Sequence, residues 1–593
     1  MMNSIFRRSC RQGVLLGVSC LALLVSQVQA RSLVPVMPAA SVVAARHYDA
    51  SFDVFHPVRA RQGMVASEHR LASALGLQIL QQGGNAVDAA VAVGFALAVV
   101  LPNAGNLGGG GFMLFHDAGQ GRSHALDFRE MAPAAAHRDL FVDAQGEIID
   151  GASIYSHRAI GVPGTVAGLL QALERWGSLP RAAVIAPAIE LAEQGFVVSD
   201  TLARMLAVQA QQLGRWPATR AIFFRGERPL QAGERLVQAD LARALRQIAE
   251  EGASAFYEGE IGRAIVAEMQ QHRGLISMAD LAAYRAVERP PVSGSYRGFE
   301  VISMPPPSSG GIHLLQMLNI LEHFPLSQTG AGSAASLHWI AEAARLAYAD
   351  RAEFLGDPDF VRIPQQGLTS KAYAAELAAS IDANRARAMA EITHGNPGAH
   401  ESEQTTHYSV VDAAGNMVGV TYTLNLNFGS GIVAAGTGIL LNNEMDDFSA
   451  KPGVPNVYGL VGGEANAIAA GKRPLSSMMP TLVLKEGEPW LVTGSPGGAR
   501  IITTVLQTVI NAIDFGMNPA ENAAAPRVHH QWQPDVLRIE KGLSPDTLNI
   551  LSGLGHRIEL KAAMGRTQTI QRSDTGWQGY SDPRNPDGAT LGY

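Results

Sequence analysis

Apolar positions at helical spacing run through Leu71, Leu75, Leu77 and Leu80 and stop at Gly83-Gly84. With Ser67 as a capping hydroxyl, the pattern predicts a helix from about Ser67 to that glycine pair. A second, almost wholly apolar helix is expected from Ala86 to Leu101, stopped by Pro102. It contains Asp88 and falls short of the ~20 residues a membrane span needs, so it reads as a buried core helix. Gly108-Gly109-Gly110-Gly111 leads into an apolar strand, Phe112–Phe115. Alanine-rich helical stretches dominate 165–290. Pro305–Gly311 reads as a rigid turn opening a helix near His313, and an amphipathic helix is expected over Ala335–Phe354. Residues 385–404 turn polar, as in a solvated loop, and after Thr405 strands alternate with glycine turns. No fixed-period repeat occurs. The mixture predicts an α/β protein of stacked layers rather than a barrel.

Composition adds limits. The 593 residues are 47% hydrophobic and 17% charged, enough for a large core, and the formal charge is −7. Charges of both signs are interspersed, with no basic stripe or tail, so nucleic acid and anionic membrane surfaces are not the expected partners.

The amino terminus has the form of a secretory signal. Arg7, Arg8 and Arg11 precede a short apolar run, Val14–Val25, and Val28-Gln29-Ala30 offers small residues for cleavage. Residues 1–30 are therefore expected to be removed, and the product to be periplasmic or secreted. Losing three arginines takes the remaining chain from −7 to −10. Cys10 and Cys20 are the only cysteines and both lie in this segment, so no disulfide, thiolate ligand or cysteine nucleophile is expected in what remains.

The segment Thr406–Val411 is β-rich, Asp412–Asn416 is turn chemistry, and Met417–Thr423 is β-rich again. If Val411 pairs with Met417, the register sets Thr405 opposite Thr423, where one hydroxyl can bond the other. A threonine hydroxyl needs a base beside it. An amino-terminal threonine carries one in its own α-amine, whose pKa near ~8 suits proton transfer. That chemistry requires a cut between Gln404 and Thr405, where the polar loop is accessible. Taken alone, the segment reads first as a plain hairpin, because paired β-branched residues are common in strands, and Thr406 is a rival nucleophile.

Other segments narrow the choice. These include Asn85–Ala90, Gly108–Phe112, Leu126–Glu130, Pro305–Gly311, Thr405–Asp412, Leu441–Phe448, Arg473–Met478 and Gly494–Gly498. Together, and in this order, they resemble the bacterial γ-glutamyltranspeptidases of the amino-terminal nucleophile hydrolase superfamily. The resemblance spans nearly all of the chain after residue 30. It implies a four-layer αββα sandwich and self-cleavage between Gln404 and Thr405. It further implies a heterodimer of a large subunit, 31–404, and a small catalytic subunit, 405–593, that uses no cofactor and no metal.

It also implies what the pocket must hold. A γ-glutamyl donor such as glutathione presents an α-carboxylate and an α-ammonium away from its scissile amide. Arg129 offers a bidentate guanidinium for the carboxylate, and the hydroxyls of Ser476 and Ser477 can join it. Glu444 and Asp447 supply negative charge for the ammonium, and Asn425 an amide contact. Many bacterial relatives carry Gln at the position of Glu444. Gly497 and Gly498 fit an oxyanion hole, where glycine lets backbone N–H groups approach closely. The stretch Pro452–Gly459 resembles a lid loop with Tyr458 as its gating side chain. The expected reaction passes the glutamyl group through a threonine ester to water, or to an amino acid or peptide.

Gly108–Gly111 lacks the Lys-Ser/Thr of a phosphate loop and reads as close packing instead. The 17 histidines show no ligand spacing in pairs such as His529-His530, so no metal is expected. Two kinds of rival remain: another amide hydrolase of the same superfamily, such as an acylase whose substrate lacks the α-amine or a depolymerase of poly-γ-glutamate, and a periplasmic binding protein without catalysis.

Overall fold

The hairpin expected after Thr405 forms in the predicted register, with Val411 opposite Met417 and Thr406 opposite Tyr422. It lies at the centre of a sheet. The computed structural model describes residues 48–392, 405–451, 454 and 462–593. The expected signal segment 1–30, Gln404 and Tyr458 lie outside the described residues.

In chain order the main strands begin with β1 (Val58–Ala60), β2 (Met64–Ser67), β3 (Gly110–Asp117), β4 (Arg122–Phe128), β5 (Val287–Arg289), β6 (Val292–Tyr296) and β7 (Phe299–Ser303). They continue with β8 (Thr406–Val411), β9 (Met417–Thr423), β10 (Thr481–Lys485), β11 (Glu488–Thr493), β12 (Gln568–Ser573), β13 (Gly576–Ser581) and β14 (Ala589–Gly592). One sheet runs β14-β2-β8-β9-β3-β4-β5 and the other β1-β13-β12-β11-β10-β7-β6. Every pairing within the two is antiparallel.

The helices that matter are α1 (Arg70–Gln81), α2 (Ala86–Val100), α3 (Thr165–Trp176), α4 (Glu260–Gln271), α5 (Gly310–Leu321), α6 (Ala334–Phe354) and α7 (Ile501–Ile513). Strand periodicity sends alternate residues to opposite faces, and the two cores sort accordingly. Tyr408, Val410, Val418, Val420 and Tyr422 pack with α2 and its neighbours in one core. Val411 and Met417 join the second sheet, α5, α6 and α7 in the other. The layers are therefore helices, sheet, sheet, helices, which is the αββα sandwich.

His407 and Ser409 of β8 lie on the face between the sheets. Ser409 Oγ donates to the carbonyl of Gln568 on the opposing sheet at 2.8 Å. Each such residue needs a partner, because an unpaired buried polar group costs about 1–3 kcal/mol.

Helix α2 is buried along its whole length, as its composition predicts. Asp88 explains how a carboxylate survives there. It completes a capping box with Asn85 and accepts from the N–H and hydroxyl of Ser178 and from the N–H of Leu179. Two local expectations need correction. Ser67 ends a strand, with its hydroxyl 2.7 Å from that of Ser73, and His69 caps α1 instead. Helix α6 is buried on nearly all sides rather than amphipathic, because β-structure and helices cover it all round. Among the described residues, no helix is long and apolar enough to cross a membrane.

Candidate active site

Thr405 directly precedes β8. Extending the ladder by one residue sets it opposite Thr423, the last residue of β9. Both side chains fall on the face between the sheets, both are buried, and both line one cavity. The glycine run explains how the backbone crowds there. A Cβ on Gly109 would lie 2.0 Å from the carbonyl oxygen of Thr423, and one on Gly108 would lie 2.1 Å from that of Leu440. The close-packing reading of Gly108–Gly111 is thus correct.

Two groups brace this end. Arg566 donates from Nη2 to the Thr405 carbonyl at 3.5 Å and pairs through Nε with the buried Glu68 at 2.6 Å. His407, two residues along the same face, sits 2.8 Å from Thr421 Oγ1 and 3.1 Å from Ser409 Oγ. Burial pushes its pKa down to about 3. Its contacts join Thr421 on β9 to Ser409 on β8, so His407 ties the two strands together.

The other end of the cavity is charged. Arg129 follows β4 and is fully buried, with its Nε donating to the Pro474 carbonyl at 3.2 Å. Its two terminal nitrogens pair with Glu444 and Asp447, and Glu130 stands 3.5 Å away. Burial opposes the charge on Arg129, but these carboxylates more than offset it and hold the pKa above its usual value. Burial raises Glu444 and Asp447 as well, and pushes Glu130 up to about 7. Glu444 and Asp447 lie on one short 3-10 turn, Glu444–Asp447. Asn442 anchors that turn, taking the N–H groups of Gly161 and Glu444 on its oxygen and donating to the carbonyls of Gly108 and Gly161.

Ser476 and Ser477 also line the cavity. Their loop is clamped to the Pro305–Gly311 turn: Ser476 N–H donates to the Pro307 carbonyl, and Ser309 N–H and Oγ both donate to the Ser476 carbonyl, each at 2.8 Å. Ser477 Oγ accepts from Arg351 at 3.3 Å, which leaves its own proton for another acceptor. Gly498 lines the cavity, while Gly497 lines a neighbouring one. Their φ angles are +54° and +138°, a backbone that L side chains rarely adopt. The chain then enters a 3-10 turn and α7, so this is a helix start, where N–H groups have no intrahelical acceptor. Asn425 is not among the lining residues. Its side-chain amide donates to the Asn443 carbonyl at 3.0 Å, beside Glu444.

The Gamma-glutamyltranspeptidase family model matches residues 72–592, almost the whole described chain. The chain belongs to that family. It is 58% identical over 548 residues to the glutathione hydrolase proenzyme of Escherichia coli K12, covering 92% of this chain and 94% of that protein. The crystal structure of Helicobacter pylori gamma-glutamyltranspeptidase superposes with a TM-score of 0.54 at 44% identity, covering 56% of this chain and 96% of that one. The cephalosporin acylase of Bacillus halodurans superposes with a TM-score of 0.80 at 29% identity, over 94% and 99% of the two chains. A γ-glutamyltranspeptidase fold and an acylase fold are thus one architecture, and the pocket must separate them.

Two residues that shape the pocket of this family member went unread in the sequence. Arg351 lies inside α6, lines the cavity, and bonds Ser309 Oγ at 2.9 Å besides Ser477. Burial pushes its pKa down to about 10, still cationic at neutral pH. Tyr348, one turn earlier, donates to the Ala499 carbonyl. One helix therefore holds both the serine loop and the glycine turn. The available signal was an arginine in a helix otherwise rich in alanine.

Proposed function

We propose that the chain cuts itself between Gln404 and Thr405 and that Thr405 then acts on γ-glutamyl amides, glutathione among them. The observation that carries this reading is a single buried cavity with Thr405 and Thr423 at one end and Arg129, Glu444 and Asp447 at the other.

The donor's α-carboxylate and α-ammonium match the pairing already present. The carboxylate takes donors on Arg129, assisted by Ser477 and the charge of Arg351. The ammonium takes the oxygens of Glu444 and Asp447 that Arg129 releases. The pairs that Arg129 makes with Glu444 and Asp447 are exchanged for pairs with the donor's two charges, which limits the cost of burying them. The γ-carbonyl then reaches Thr405. The α-amine freed by the cut accepts the hydroxyl proton as Oγ attacks, and the oxyanion lies against the N–H groups of Gly497 and Gly498. The C–N bond breaks, the leaving amine takes the proton, and a γ-glutamyl-threonine ester remains. Water converts it to glutamate; an amino acid or peptide amine converts it to a new γ-glutamyl amide. Two half-reactions through one ester give ping-pong kinetics.

The same reading covers the rest of the chain: a cleaved signal at 1–30, export to the periplasm or beyond, and a heterodimer of 31–404 and 405–593. By the resemblance, Tyr458 would gate the glutamyl site, and excluding water there would favour an amine acceptor. The acylase alternative is separated by the acidic turn, since an acyl group lacking an α-amine gives Glu444 and Asp447 nothing to bind.

The test pairs two chromogenic anilides, γ-glutamyl and glutaryl, with a denaturing gel and amino-terminal sequencing of the smaller band. Rapid release from the γ-glutamyl compound alone, with a band starting at Thr405, is expected. Equal release from both, or an uncleaved active chain, would refute the proposal.

A further inference from the structure

Away from the cavity, three residues distant in sequence converge on one point. His157 lies on a 3-10 turn, His157–Ala159; Glu268 is on the last turn of α4; and His272 follows the end of that helix. Their candidate ligand atoms all fall within 4.8 Å of one another. His157 Nε2 is 3.0 Å and His272 Nε2 3.5 Å from the same oxygen, Glu268 Oε1. A tetrahedral ion with bonds near ~2.0–2.2 Å sets its ligand atoms roughly 3.3–3.6 Å apart, so both measured separations suit a shared ion after small shifts. The two imidazoles are stacked, 4.5 Å between centroids and 21° between planes, and Trp216 packs edge-on against both. The aromatic wall fixes the rings, while the 35% exposure of the His272 side chain leaves a solvent side open.

We propose that His157, Glu268 and His272 bind one divalent transition-metal ion of the zinc type. Two imidazole nitrogens and one carboxylate favour such an ion over calcium or magnesium, which prefer all-oxygen shells. Three protein ligands leave the fourth position for water. The ion ties α4 to the segment that supports the acidic turn of the cavity. In that segment Ser153 Oγ donates to Asp446 at 2.6 Å, and the Ile154 carbonyl accepts from Asn443 at 3.1 Å. The site is thus a brace outside the reacting cavity, and its occupancy acts on stability first. No pair among the three except Glu268 and His272, four apart at a helix end, has a sequence spacing that suggests it.

The test uses untagged processed protein stripped with chelator and titrated calorimetrically with zinc chloride. One ion per molecule is expected, with a thermal midpoint raised by a few degrees at saturating metal. His272→Ala, at a partly exposed position, should fold normally and weaken binding by about 100-fold or more. His157→Gln should do the same. Cobalt should give the visible absorption of a four-coordinate site in the parent protein and lose it in His272→Ala. Absence of one-to-one binding in the parent, or affinity unchanged in His272→Ala, overturns the proposal.

Discussion

Where Thr405 sits, the cavity wall is sheet and its side chains are neutral; where Arg129 sits, the wall is irregular chain, and three carboxylates surround one guanidinium. The first end is positioned by a hydrogen-bonded ladder and by glycines that admit no side chain. The second is positioned by charge balance and by Asn442. A ladder fixes the position of Thr405 through backbone hydrogen bonds on its own strand and the next. A cluster of like charges around one cation can exchange partners, which a site for a zwitterion requires.

The largest expected effect breaks the neutral end. Thr405→Ala should leave one uncleaved chain and activity at background, read on a gel and with the γ-glutamyl anilide. Two bands from that variant would remove Thr405 from the processing step. Next comes the charged end: Arg129→Met strands Glu130, Glu444 and Asp447 without their cation. It should lower kcat/KM on the order of 10²–10³-fold and stability by about 3–5 kcal/mol, measured by kinetics and denaturant unfolding. A stable variant with normal KM would show that charge does not organise this end.

Glu444→Gln is a finer cut, since shape is kept and one charge is lost. KM for a γ-glutamyl donor should rise about tenfold, equivalent to ~1.4 kcal/mol, with kcat changed less. In the parent, KM should fall as pH rises toward 7, because the ammonium needs ionised carboxylates; in the variant that dependence should flatten. An unchanged KM would point to Asp447 as the sufficient anion.

The smallest effect separates the ends by pH alone. His407 has a folded pKa of about 3 against 6.5 when unfolded, so the unfolded chain binds the extra proton between those values. Its contribution is present above 6.5 and lost as pH falls toward 3. Glu130 runs the other way: with a folded pKa of about 7 against 4.5, its contribution is present below 4.5 and lost as pH rises through 7. Glu130→Gln should therefore raise the thermal midpoint at pH 8 by about 1–2 °C and leave it unchanged at pH 4. A shift of equal size at both pH values would show a packing effect instead.

What could be read from the sequence follows the same division. The register of β8 and β9 was legible because turn chemistry and β-branched runs are local signals. Arg129, Glu444, Asp447 and the two serines were legible only through resemblance, since nothing in their spacing says that 129 meets 444. Ser67 was misread because a hydroxyl before a helical pattern caps a helix and ends a strand equally well. Arg351 and Tyr348 were missed because an arginine in a helix is ordinarily solvated, and only the layers around α6 bury it. His157 and Glu268 are brought together by tertiary packing that no local pattern encodes.

Both sheets interleave strands from before and after residue 405. In the first, β2 lies between β14 and β8, and β9 lies between β8 and β3; in the second, β10 pairs with β7. A cut at that point severs the covalent thread but not the weave. The two polypeptides would share strand pairings in both sheets, so parting them means breaking the ladders of the core. Dilution or salt should not separate them, only denaturant, and a chain unfolded after the cut would have to reassemble as two molecules what it first folded as one.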